Sequence, residues 1–424
     1  MGKSFWTHAL SNSAARERAA QKYGKSDLLR IDVKIGFNGS DKLAVVAPTR
    51  QAVREALLAG FLSDEIWRAV VFRAACDGRR AGQSLHLDES LRLLKSNPRL
   101  FEETVSEIDD ELMKAGGTLL IVFDALDRLA EDWSQIRDLT TSLMRQALGL
   151  KSFRSLRMKI FIRPDQFSDP ATFHFPDGSK LKNEHVDLSW KPHELYGLLF
   201  FEICRSESAR GELSKLAEAN RAESAIHFDF SRWSLDSQER LVNALAGAYM
   251  GADARRGRLY TWVPLHLSDA NNECSPRTFL TAWQKAAAFE PSPADRAINH
   301  LGLIEGVRRA SGARLDELRE DYRWIDLALE ALQGLFVPME RDELFAAWER
   351  AEVVRKILEQ AKQGRYLPPA ELDEFTSSPS NLLQALKNIA VMEERSNGKI
   401  NVPDIFRVEA GIKRKGGVAV PRKT

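Results

Sequence analysis

Cysteine is scarce in this chain. Cys76, Cys204 and Cys274 lie far apart and are odd in number, which excludes a disulfide framework and a paired CxxC metal or redox centre. Such usage fits a reducing cytoplasm. An excess of one charge is also missing, because 61 basic residues face 60 acidic ones and leave a formal net charge of +1. Any attraction to nucleic acid or anionic lipid must therefore be local. Apolar runs such as Thr118 to Phe123 are far below the ~20 residues of a membrane helix. The first residues lack the apolar segment of an export signal, and Trp6 stands where myristoylation needs Ser or Thr. The histidines show no H-x-x-x-H or H-E-x-x-H spacing for zinc. Tryptophans are spread too evenly for a base-stacking platform, and no repeat or low-complexity tract is present.

What is there is a globular composition, 424 residues with 44% apolar and 29% charged side chains, enough for roughly three domains of about 150 residues. Gly2-Lys3-Ser4, followed by a helix-compatible segment, reads as the right-hand end of G-x-x-x-x-G-K-[ST]. In such a loop, backbone N–H groups and a helix N-terminus cradle phosphate oxygens, lysine reaches the β- and γ-phosphates, and the hydroxyl binds Mg²⁺. Lys3 and Ser4 fit those roles, with Gly2 and Phe5 completing the binding segment. A tripeptide alone is weak, and a partner motif strengthens it. Thr118 to Phe123 suits a strand buried on both faces, and it ends in Asp124-Ala125-Leu126-Asp127-Arg128. Asp124 could hold the Mg²⁺ shell and Asp127 could orient or deprotonate a water; the plain alternative is a buried strand followed by ordinary surface acids. Met158 to Asp165 reads as another strand ending in charge, where Arg163 either senses a γ-phosphate or forms a structural ion pair. Further strands are expected at Leu28–Val33 and His185–Trp190. Strands alternating with helices predict a parallel sheet.

On these residues the chain resembles the bacterial P-loop ATPases of the STAND and KAP-like branch, additional-strand relatives of the AAA+ proteins. Gly2-Lys3-Ser4 looks like a Walker A remainder, and Asp124-Ala125-Leu126-Asp127-Arg128 like a D-x-x-D-R Walker B. Ser275-Pro276-Arg277 is similar to the step that opens a sensor helix in the lid, so the resemblance implies that Arg277 reaches the nucleotide. It further implies ATP and Mg²⁺ as ligands, with Gly2, Lys3, Ser4, Phe5 and Arg277 at the nucleotide, Ser4 and Asp124 at the metal, and Asp127 and Arg163 in catalysis. ATP is expected over GTP, since no guanine-reading N-K-x-D is found in the expected place. Ala125 stands where AAA+ enzymes carry glutamate, which suggests slow, switch-like turnover. The missing first strand and half-loop suggest a true start upstream of Met1.

The expected architecture is an α/β P-loop NTPase core with a parallel sheet over 1–200, a helical lid over 201–290, and a mainly helical C-terminal region over 291–424 ending in a winged-helix-like hairpin. Helices are expected from Pro192 to about Lys215, Arg232 to Met250, Ile298 to Ala310, Leu315 to Leu335, Arg341 to Gly364 and Asn381 to Ile389. Ser396-Asn397-Gly398 between two short extended runs predicts a hairpin with both Asn397 and Gly398 at positive φ. The tail from Lys413 to Lys423 adds local positive charge. Expected partners are ATP and a protein partner or a second copy, with DNA as an alternative partner and no membrane. Competing readings are a nucleic-acid-binding regulator with a vestigial core and a non-catalytic interaction scaffold.

Overall fold

The apolar run before Asp124 forms the central strand of a parallel sheet. The computed structural model describes residues 2–80, 86–130, 132–222, 233–372 and 377–415, and the chain divides into two units, Gly2–Leu188 and Ser189–Thr424.

In the first unit, α1 (Lys3–Ser11) and α2 (Ser13–Tyr23) precede β1 (Ile31–Phe37), and α3 (Arg50–Leu58), α4 (Ser63–Cys76), α5 (Leu87–Ser96) and α6 (Leu100–Ala115) lead to β2 (Thr118–Phe123). Then α7 (Trp133–Leu150) leads to β3 (Leu156–Ile160), followed by the short helices α8 (Pro164–Ser168) and α9 (Gly178–Lys182). The strands run in the order β1-β2-β3, all parallel, with Ile31 opposite Thr118 and Leu119 opposite Leu156. A core closes over the sheet around Trp67 of α4, whose ring meets Phe123 edge-on at 5.6 Å and whose indole N–H donates to the Leu139 carbonyl at 2.7 Å. That bond lets the polar edge of a fully buried tryptophan enter the core without loss.

Two expected strands differ. Residues Ser26–Arg30 form a 3₁₀ turn, so the first strand starts at Ile31 rather than Leu28. His185 to Trp190 forms no strand: His185, Val186 and Asp187 are exposed and lack a ladder partner among the described residues. After Asp127, Glu131 lies outside the described residues, and α7 begins at Trp133, capped by the Asp132 side chain.

The second unit is built of helices: α10 (Pro192–Ile203), α11 (Glu207–Ala219), α12 (Leu235–Ala246), α13 (Leu259–His266), α14 (Pro276–Ala287), α15 (His300–Asp321) and α16 (Ile325–Glu330). The expected helix from Pro192 is two, broken where Ser206 caps α11; Arg232 lies outside the described residues. The expected break near Ala310 is absent, because α15 runs on through Gly312. Next come β4 (Phe336–Val337), α17 (Arg341–Arg350), α18 (Val353–Lys362), α19 (Pro379–Asn388), β5 (Glu393–Glu394), β6 (Ile400–Asn401), α20 (Asp404–Arg407) and β7 (Lys413–Arg414). One core runs from Leu195 to Ile412, across the boundary expected near 290.

The hairpin forms, with Glu394 opposite Ile400. Its turn differs from the expected one: Gly398 has φ 77° while Asn397 is not among the positive-φ residues. Gly398 N–H donates to Arg395 O at 2.8 Å and Arg395 N–H to Lys399 O at 2.9 Å. This is the three-residue loop that places a single left-handed glycine after a turn.

Candidate functional site

The carboxyl ends of the parallel strands decide where charged groups gather. Beyond β2, the Asp124 N–H still donates to Phe37 O at 2.8 Å, so its carboxylate is held at the carboxyl end of the central strand, only 5% exposed. Asp124 Oδ1 accepts the Ala125 N–H at 2.8 Å. Ala125 itself has φ 57°, a left-handed conformation that costs a residue with a Cβ roughly 1–2 kcal/mol. That turn leads into the 3₁₀ segment Leu126–Arg128, which carries Asp127.

Beyond β3, the Phe161 N–H donates to Phe123 O at 2.8 Å, and two residues later Arg163 precedes α8, with Pro164 at its first position. The guanidinium is buried. Its Nε and Nη2 donate to the two carboxylate oxygens of Asp165, each at 3.1 Å, and Nη1 lies 3.4 Å from Asp127 Oδ2. A bidentate pair of this kind fixes both groups in one plane. The structural ion pair expected as one alternative for Arg163 is thus present.

Helix α1 adds the third side. Gly2 starts it at φ 92°, no side chain caps it and no acid stands in its first turn, so its leading N–H groups and positive end suit an anion. Lys3 is half-buried. Burial holds its ammonium below the ordinary lysine value; Asp127 chiefly opposes this, Arg163 adds to it, and Asp124 and Asp165 oppose it further. One turn on, Thr7 is 8% exposed, with Oγ1 3.3 Å from Asp124 Oδ2.

The sequence-derived residues Lys3, Asp124, Asp127 and Arg163 therefore share one site in the first unit. Ser4 and Phe5 are exposed on α1, with Phe5 meeting Trp6 edge-on. Arg277 belongs to the second unit, on α14, is largely exposed, and pairs with Glu317 at 2.8 Å. Sequence reading missed Thr7 and Asp165. The signal for Thr7 was helical periodicity: residues four apart share a face, so a buried Lys3 brings Thr7 with it, whereas Ser4 lies about 100° around the helix.

Asp124 and Asp127 are the carboxylates that follow β2 at this site. No group of three or more His, Cys, Asp or Glu among the described residues could hold a metal ion, and Mg²⁺ in nucleotide sites is held by one or two carboxylates together with the phosphates. The cysteines offer nothing here: all three are free and buried, and burial pushes the Cys76 thiol up to about 11 and Cys274 to about 12. No helix among the described residues is long and apolar enough to cross a membrane. Compared with protein families, with curated proteins and with solved structures, the chain finds no match.

Proposed function

We propose that the unit Gly2–Leu188 binds ATP with Mg²⁺ and hydrolyses it slowly, as a molecular switch of the STAND and KAP-like type. The observation that carries this reading is the convergence of α1 with the ends of β2 and β3: the charges acting on Lys3 are those of Asp127, Arg163, Asp124 and Asp165. Two cations and three carboxylates leave that cluster one negative charge in excess, so a triphosphate is expected to bind more tightly with its divalent ion than alone. In this reading the first N–H groups of α1 and the Lys3 ammonium take the phosphates, Asp124 serves the metal and Asp127 orients water, while Ser4, exposed on another face of α1, takes no part. Arg163 meets the terminal phosphate by giving up part of its bond to Asp165.

The last helices and hairpin of the second unit have the order of a winged helix: Met339 bridges Ile400, β5 pairs with β6, and α19 precedes the hairpin. Several of its described cations are engaged with acids, Arg341 and Lys387 with Glu394, Lys399 with Glu340, and Arg414 with Asp404, while Lys413 lies over the Phe336 ring. DNA affinity needs several cations offered to phosphate on one face, so this pairing favours a protein-facing role over the nucleic-acid reading. Residues 416–424 of the basic tail lie outside the described residues.

Titration with a labelled ATP in the presence of Mg²⁺ tests the proposal. Lys3→Ala is expected to weaken binding at least tenfold, on the order of the 1.5–3 kcal/mol that a hydrogen bond to a charged group contributes. Equal affinity in the two proteins ends the nucleotide reading.

A further inference from the structure

Thr7 has no part in the nucleotide reading above, and the role assigned to it here rests on that reading. Asp124 has two oxygens to place, and only one is fixed from its own loop. Oδ1 takes the Ala125 N–H at 2.8 Å, while Oδ2 faces Thr7 Oγ1 at 3.3 Å, across 117 residues of sequence. The terminal torsion of an aspartate is broad, so a carboxylate anchored at one oxygen still swings. A second anchor from another element stops it.

The Thr7 hydroxyl has a single proton to donate and two acceptors in reach, Asp124 Oδ2 and the Lys3 carbonyl at 3.2 Å. The first bond ties α1 to the end of β2. The second stays within α1. The buried donor is thus satisfied in either position, and only the bond to Oδ2 reaches the carboxylate.

We propose that Thr7 is the positioning residue for the metal carboxylate: its hydroxyl sets the plane of Asp124, leaving the second lone pair of Oδ2 for the divalent ion that accompanies the nucleotide. It also couples that carboxylate to the helix whose first turn takes the phosphates. Exposed Ser4 is not part of this contact.

The test is binding of labelled ATP to the full chain while Mn²⁺ is titrated, with a parallel measurement in EDTA, for wild type, Thr7→Val and Thr7→Ser. Valine keeps the shape and removes the hydroxyl; serine keeps the hydroxyl. Thr7→Val is expected to raise the Mn²⁺ concentration for half-maximal enhancement about tenfold, as loss of a group that orients a metal ligand usually does, with metal-free affinity unchanged within about twofold. Thr7→Ser is expected to follow wild type. A Thr7→Val protein with unaltered metal dependence overturns the inference, as does a Thr7→Ser protein as impaired as Thr7→Val. Loss of metal-free affinity in Thr7→Val makes the residue merely structural and also overturns it. Wild type and Lys3→Ala binding ATP equally would instead bring down the nucleotide reading, and this inference with it.

Discussion

Lys3 carries a prediction of its own, because its ammonium is held below the lysine value of 10.5 chiefly by burial. In the folded protein this is a cost: below the lowered pKa both folded and unfolded chains are protonated there, and the folded state suffers for it; the cost fades as pH rises from that value to 10.5. A bound polyphosphate reverses the balance by favouring the charged form. Nucleotide binding should therefore take up protons in the window between the lowered value and 10.5. Calorimetry in buffers of differing ionisation enthalpy reads this directly, and Lys3→Met is expected to abolish the uptake. The same residue shows what was legible in advance. Gly2-Lys3-Ser4 and the carboxylate after an apolar strand have local signatures, so the two halves of the site could be named. Thr7 and Asp165 have none: a buried hydroxyl and a counter-ion acquire meaning only once packing brings α1 and α8 to the ends of the strands.

At the scale of elements, the close pairing of α14 with α15 rests on glycine. A Cβ added at Gly306 would lie 2.2 Å from Ala282 O, and one at Gly302 would lie 2.8 Å from Ala286 O, both backbone atoms that cannot swing aside. Gly312, farther along the same helix, would place its Cβ at an ordinary 3.6 Å from the Glu409 side chain. The same substitution should then have opposite signs. Gly306→Ala is expected to destabilise by about 1–3 kcal/mol through overpacking, and Gly312→Ala to stabilise by about 0.4–1 kcal/mol through a less flexible unfolded chain. Denaturant midpoints of the two variants check this. These glycines also explain why α15 was misread as two helices: a glycine inside a helical pattern lowers propensity whether it marks an end or a close approach, and the sequence pattern does not separate the two. His185 to Trp190 differs for another reason, since its apolar alternation suits a strand but no strand among the described residues pairs with it. Thr118 to Phe123 succeeded because burial on both faces leaves a continuous apolar run.

At the scale of the whole molecule, two hydrophobic cores run through separate stretches of chain, one from Phe37 to Leu156 and the other from Leu195 to Ile412. Each unit has its own cooperative unit of burial, so thermal unfolding of the full chain should show two transitions rather than one. Every residue assigned to phosphate or metal apart from Arg277 lies in Gly2–Leu188. A ligand that binds only the folded form adds about 2.7 kcal/mol at a concentration 100 times its dissociation constant. In a unit of this size that raises the midpoint by roughly 5–10 °C. Mg²⁺-ATP is accordingly expected to move one transition and leave the other in place, Lys3→Ala to erase that movement, and Gly306→Ala to lower only the transition that ATP does not move. Differential scanning calorimetry on the wild type and the two variants separates these effects. A single transition shifted by both ATP and Gly306→Ala would mean that the two cores unfold as one cooperative body. Energy from the nucleotide would then be shared across the chain, and a switch would not need a separate relay.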